Sequence, residues 1–237
     1  MSLKHNPGPR SLTVGTAERS SGGVPMLVVV GGHSRNIGKT SVVAGLIQAL
    51  PQWDWTAMKI TQFGHGICSA SGTGCDCCLA PEHPYAIHQE RHPGRSDTGR
   101  FLAAGARRSY WVRTATGQLA NALPALRELR TASRNLIVES NSIVEFLTPD
   151  LYLVVLDFAQ EDFKASGRRY LDRADACVVI ERDIQEPPWQ GVARASWEGK
   201  PRFPVRPPQY VTAALAAFVN ERLLAVGASA GAGGASA

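Results

Sequence analysis

Short apolar runs and longer helical stretches alternate through the middle of this chain. Six runs of six to eight residues are rich in β-branched, aromatic and leucine side chains: 25–31 (PMLVVVG), 55–61 (WTAMKIT), 109–114 (SYWVRT), 135–140 (NLIVES), 151–157 (LYLVVLD) and 174–181 (ADACVVIE). Several are apolar at successive rather than alternate positions, the pattern of a strand covered on both faces. Between them lie helical patterns. Residues 39–50 are apolar nearly all round, as suits a helix buried against a sheet. Residues 98–108 follow, then 117–130, where Leu119, Ala122, Leu123 and Leu126 form one stripe and Pro124 is expected to introduce a kink. The last helix is expected near 209–226, with Val211, Leu215, Phe218 and Leu223 toward the core. Strands alternating with helices predict an α/β fold: a doubly wound, mostly parallel sheet of about six to seven strands with helices on both faces.

Two segments break the pattern. Residues 62–97 are rich in Gly, Cys, His and Pro and show no period; a stretch of that kind inside a compact domain is more often functional or mobile. Residues 183–208 carry six prolines and two tryptophans. Residues 1–24 and 227–237 are small, polar and Gly/Ser/Ala-rich, and are expected to be flexible tails flanking one domain at 25–226. Trp53, Trp55, Trp111, Trp189 and Trp197 are scattered and are expected as core or loop anchors.

The chemistry starts after the first strand. Residues 31–41 read GGHSRNIGKTS, and Gly38-Lys39-Thr40 end them as a phosphate loop ends. The glycine expected five positions before Gly38 is His33, with Gly31 and Gly32 just upstream. That first position only terminates the strand and opens the turn. What binding needs is a set of inward backbone N–H groups, a lysine for the β- and γ-phosphates and a hydroxyl for Mg²⁺. Ser34, Arg35, Asn36, Ile37 and Gly38 can supply the amides, Lys39 the ammonium and Thr40 the hydroxyl, with Gly32 and Ser41 flanking them. The helix beginning at Lys39 would aim its positive end at the anion.

A second acid is expected at the end of another strand to help hold Mg²⁺ with Thr40. Glu139 and Asp157 both end strands, and Glu139 is preferred because a polar group, Glu139-Ser140-Asn141-Ser142, stands where the sheet should open into a site. Asp183, just past the last clear strand, can accept from guanine N1–H and N2–H₂, which favours GTP over ATP. If the nucleotide is cleaved, Lys39, Thr40 and Glu139 or Asp157 carry the catalysis electrostatically; Arg35 is one candidate arginine finger, and arginines 91–113 are others.

Four stretches resemble the MobB family, the molybdopterin-guanine dinucleotide biosynthesis protein B, within the SIMIBI class of P-loop proteins. They are VVVGGHSRNIGKTS, AMKITQFGHG with Lys59 and His65, SDTGRFLAAGA at 96–106 with Asp97, and NLIVES with Glu139. Departures are His33 for glycine, Ser140 for the glycine after the acid, and the stretch CSASGTGCDCC. The resemblance implies GTP binding with weak hydrolysis, assistance to GMP transfer onto molybdopterin, a phosphorylated pterin or a biosynthetic protein as partner, and dimerisation. Site residues implied by it are Gly38, Lys39, Thr40, Lys59, Asp97 and Glu139.

Composition adds three points. Four of the five cysteines, Cys68, Cys75, Cys77 and Cys78, fall within eleven residues, near His65, His83, His88 and His92. Such a set suits Zn²⁺ or an iron–sulfur cluster through three thiolates and a histidine such as His65 or His83; a reactive thiol group and plain loop cysteines are the alternatives. Cys177, inside an apolar run, reads as a core residue. Six arginines against Asp97 between 91 and 113 suit a phosphorylated ligand, or simply a solvated face. No apolar window is long enough to cross a membrane, no secretory signal begins the chain and no nucleic-acid module is present, so a cytosolic protein is expected. Beside the molybdenum-cofactor role, two readings stay open: a metallochaperone-type GTPase whose Cys/His stretch holds a metal, and a small-molecule kinase using the same loop.

Overall fold

The computed structural model describes residues 25–63, 85–182, 184 and 186–232. Its strands are β1 (Met26–Gly32), β2 (Trp55–Phe63), β3 (Tyr85–Glu90), β4 (Arg108–Ala115), β5 (Asn135–Glu139), β6 (Leu151–Asp157), β7 (Ala176–Ile180) and β8 (Arg202–Val205). Its α-helices are α1 (Lys39–Ala49), α2 (Asp97–Ala103), α3 (Leu123–Thr131), α4 (Ala165–Tyr170) and α5 (Ala213–Ala232). The strands form one eight-stranded sheet in the order β3-β4-β2-β5-β1-β6-β7-β8. Every pairing is parallel except β3 with β4. The fold is α/β, doubly wound and mostly parallel.

Burial explains the apolar runs. β1 and β6 are buried at every position, because each is sandwiched between layers. Alternate side chains enter two cores. One holds Val28, Val30, Leu153 and Val155 against Val43, Leu46 and Ile47 of α1, Phe101 of α2 and Leu215 and Val219 of α5. The other holds Leu27, Val29, Met58, Val112 and Leu156 against Leu126 and Leu129 of α3 and Tyr170 after α4 begins. β1 lies between β5 and β6. The chain winds from β1 to one side through β2 to β5, then crosses to β6 and the other side. The crevice at such a reversal, beyond the C-terminal strand ends, is where open α/β sheets place ligands.

Several expectations need correction. The sheet has eight strands because two lie inside the segments read as irregular. β3 is a half-exposed edge strand, and β8 is only four residues long and contains Pro204, so neither carries a strong alternating pattern. Pro124 does not kink a helix. It stands in the first turn of α3, after a 3-10 turn at Leu119–Ala122, where its missing N–H costs nothing. The helix near the C-terminus begins at Ala213 and continues to Ala232, so residues 227–232 are helical rather than a loose tail; alanine has high helix propensity. Among the described residues no helix is long and apolar enough to cross a membrane.

α1 carries the phosphate-loop motif and is seated through Val42, Val43, Leu46 and Ile47. Leu46 is fully buried. Leu46→Ala is expected to lower stability by about 2–5 kcal/mol, read from urea unfolding, because the rigid strands beneath cannot close the cavity.

Candidate functional site

The loop from Gly31 to Gly38 leaves β1 at the centre of the sheet, and four sets of contacts fix its course. Asn141, just past β5, extends the strand ladder with its side chain. Its Oδ1 accepts from the Gly32 N–H at 2.7 Å and its Nδ2 donates to the Gly32 carbonyl at 2.7 Å. A side chain at Gly31 would strike Asn141 and Tyr152, and one at Gly32 would strike the Lys39 stem. Gly38 caps α1 with φ at 90°, the left-handed conformation that glycine adopts freely, and the Tyr210 ring lies where a Cβ would go.

His33 is the residue whose role sequence reasoning missed. It is wholly buried. Its Nε2 accepts from the Asp157 N–H at 3.0 Å, so its Nδ1 carries the hydrogen and donates to the Asp162 carbonyl at 3.1 Å. Its own carbonyl accepts from the Lys164 N–H at 2.8 Å. The ring packs on Trp189 and Phe163, with centroids 4.8 and 5.0 Å away. Gly167 of α4 comes so near that an added Cβ would lie 3.0 Å from the His33 Cα. The imidazole therefore ties the loop opening to β6, to the 158–164 segment and to Trp189 of the irregular 186–200 region. Ser34 adds a bond from Oγ to Asp162 Oδ2 at 2.9 Å. Proximity to Gly38 was the available signal for His33; Asn141 lay in the polar group after β5, and nothing in the sequence marked Asp162 as a partner.

Beyond His33 the loop offers donors. Among the described residues no acceptor pairs with the backbone N–H groups of residues 34–40. Arg35 and Asn36 are exposed, Asn36 at φ 55°, and Ile37 is buried beneath them. Lys39 folds its stem across Gly32 and donates to the Ser34 carbonyl. Burial pulls the Lys39 ammonium down to about 8; Glu139 opposes the shift, while Lys164 and Lys59 add to it. Burial and the nearby Arg35 also lower Lys164.

Lys39, Thr40, Lys59, Asp97 and Glu139, expected together, do meet. Glu139 is 5% exposed at the end of β5 and pairs in register with Lys59 on one side and Val30 on the other. Thr40 Oγ1 donates to Glu139 Oε2 at 2.7 Å. Lys59 Nζ lies 2.9 Å from Glu139 Oε1, 3.3 Å from Thr40 Oγ1 and 2.6 Å from Asp97 Oδ2. Burial works against the Lys59 ammonium, but the charges and hydrogen bonds of Glu139 and Asp97 outweigh it and hold its pKa above the ordinary lysine value. Asp97 opens α2 behind the Ser96 cap, and Arg100 of that helix donates to Ser41 Oγ at 2.8 Å.

Asp157 is placed differently. Its carboxylate binds Arg182 at 3.0 Å and accepts from the Ala159 N–H at 3.0 Å, on the β6 side of β1, whereas Thr40 pairs with Glu139. The candidate cluster of Cys68, Cys75, Cys77, Cys78, His65 and His83, and the base-reading Asp183, lie outside the described residues. Among the described residues no group of three or more His, Cys, Asp or Glu is arranged to hold a metal ion. Cys177 is buried within β7, where burial raises its thiol to about 11, as fits a core residue.

From Ser41 a groove of about 640 Å³ runs between the exposed side of α1, Arg100 and the 208–213 segment, with Gln48 and Tyr210 on its walls.

No family model and no curated protein matches the chain. Solved structures with a similar arrangement include LpxK from Aquifex aeolicus in complex with ATP (17% identity, TM-score 0.42, 76% of this chain and 53% of that one). HypB from Helicobacter pylori in complex with nickel aligns at 12% identity and TM-score 0.43, over 84% of this chain and 86% of that one. A LAO/AO transport system kinase aligns at 12% identity and TM-score 0.43, over 86% and 62%. The chain thus spans about half the length of the LpxK structure.

His33 gives the site an acid sensitivity. Burial is the main cause that lowers its pKa from 6.5 to about 4, so the folded protein takes up this proton less readily than the unfolded chain. The stability that depends on neutral His33 is complete above about pH 6.5 and is lost as pH falls toward 4, by about 3 kcal/mol in all. Urea unfolding of wild type and His33→Gln across that range should show the wild type losing more stability on acidification. Parallel curves would remove the assignment.

Proposed function

We propose that the chain binds a purine nucleoside triphosphate with Mg²⁺ at residues 32–41, GTP in preference to ATP, and cleaves or transfers the terminal phosphate. One observation carries this reading. The Thr40 hydroxyl is bonded to a buried carboxylate, Glu139, immediately behind a loop whose amides lack partners among the described residues. A buried carboxylate costs free energy unless it is paired, and uncommitted amides seek an acceptor.

The donors suit the ion. A hydroxyl and a carboxylate oxygen 2.7 Å apart are hard oxygen ligands of the kind Mg²⁺ takes with phosphate oxygens and water. Thr40 would ligate it and Glu139 would hold it directly or through water. When bound, Mg²⁺ draws charge from the β- and γ-phosphate oxygens. Lys59 stands within bonding distance of both oxygens and 2.6 Å from Asp97, so its ammonium could pass to Asp97 and free Thr40 and Glu139 to hold the ion. Lys39 would release the Ser34 carbonyl and turn to the phosphates; its pKa is depressed mainly by burial, with Lys164 and Lys59 adding to the shift, and an arriving anion would relieve it. Lys164 and Arg35, whose charges act on each other across the loop, stand as further cations for the phosphate chain. Ser41, bonded to Arg100, begins the groove that takes the nucleoside end, with Tyr210 available to stack on the base.

The pathway reading follows the residue resemblance: an accessory GTP-binding factor in molybdenum-cofactor maturation. Small-molecule phosphorylation is the second reading, favoured by a separate cavity beside the site.

A panel of fluorescent GTP, ATP and GDP, with and without Mg²⁺, tests the proposal. Wild type should bind the triphosphates with Mg²⁺. Lys39→Ala should weaken binding by about 100-fold, the loss of a charge-assisted contact and its field. Thr40→Ala should remove most of the Mg²⁺ dependence. Binding unchanged by both substitutions sinks the reading.

A further inference from the structure

The face of the sheet that carries Lys59 and Glu139 continues outward to β4 and β3. In register, Glu139 pairs with Lys59, Lys59 with Trp111 and Trp111 with His88. Trp111 thus stands two strand spacings, about 10 Å, from Glu139 on the same face. There, a cavity of about 240 Å³ is lined by His88, Gln89, Glu90, Thr98, Trp111 and Arg113.

Its charged group is held in position. Arg113 Nη2 donates to His88 Nε2 at 2.8 Å, and the guanidinium lies 4.9 Å from the centre of the Trp111 ring. The indole is in turn fixed by a bond from Nε1 to Thr61 Oγ1 at 2.9 Å. Among the described residues Arg113 has no carboxylate partner, and its buried Nε has no acceptor. The one acid in the lining, Glu90, is engaged elsewhere: it accepts from Ser96 Oγ at 3.0 Å, Thr98 Oγ1 at 3.2 Å and the Arg91 N–H at 3.1 Å. A cation stacked on an aromatic plate and backed by an imidazole, with no counter-charge among the described residues, is a preorganised receptor for an anion.

We propose that this cavity binds a second ligand, a small planar ring bearing a carboxylate or phosphate, with the anionic group on Arg113 and the ring against Trp111. The volume limits it to about one ring and its substituent. Its role as co-substrate beside the terminal phosphate rests on the nucleotide reading above; its existence as a site does not.

The test uses phenyl phosphate, benzoate, inorganic phosphate and neutral benzyl alcohol, followed through the indole N–H resonance of Trp111, assigned with Trp111→Phe. Phenyl phosphate or benzoate should shift that resonance saturably. Benzyl alcohol and inorganic phosphate, each lacking one half of the recognition, should bind at least tenfold more weakly. Arg113→Gln, and independently His88→Ala, should weaken the aromatic anion at least fivefold in variants that unfold at the wild-type temperature. Lys39→Ala should leave it unchanged, so failure of the nucleotide site and failure of this one are separate results. Equal binding of the neutral ring, insensitivity to both cavity substitutions, or no saturable shift with either aromatic anion overturns the proposal. If only inorganic phosphate binds, the ring half is wrong and the proposal falls as well.

Discussion

A buried carboxylate organises the centre of this protein. Glu139 ends β5 almost without solvent, and an ionised group there is tolerable only because Thr40 and Lys59 reach it. Those bonds join the first turn of α1, β2 and β5, and through Lys59 they join Asp97 at the start of α2. The cluster thereby sets how the helix after the 31–38 loop meets the sheet. The same arrangement leaves a hydroxyl and a carboxylate oxygen behind a loop whose amides have no acceptor among the described residues. Cohesion of the fold and the proposed chemistry draw on the same atoms.

His33 shows how a departure from a loop pattern is accommodated. The first position of the phosphate loop commonly holds glycine, but here the backbone needs only to leave β1 and turn. The space above it is filled by an imidazole that reaches three segments at once. Phe163 and Trp189 close on that ring, and Phe158 and Trp197 close on Trp189, with Phe158 5.3 Å from Trp189 and 5.4 Å from Trp197. A proline-rich stretch with no sequence period is thus given a fixed course by burying its two tryptophans. Aromatic rings of that size contribute apolar burial that no local propensity announces.

Most of the sheet was legible because strands buried on both faces write themselves as unbroken apolar runs; 151–157 matches β6 residue for residue. The edges were not. β3 exposes His88 and Gln89, and β8 is short and holds a proline, so each owes its pairing to the neighbouring strand rather than to its own residues. The site divides in the same way. Lys39, Thr40 and Glu139 follow from a motif and from strand ends, and Lys59 and Asp97 from a family resemblance. Asp162 and Lys164 come to the loop from a segment distant in sequence, and no local spacing could name them.

A Mg²⁺ titration at fixed GTP, comparing wild type with Glu139→Gln, bears on the central claim most directly. Wild type should gain at least tenfold in GTP affinity as Mg²⁺ rises through the micromolar to millimolar range. Glu139→Gln should keep the fold and most of the metal-free affinity but lose that gain. GTP affinity indifferent to Mg²⁺ in the wild type, or a gain of the same size in both proteins, would contradict the account.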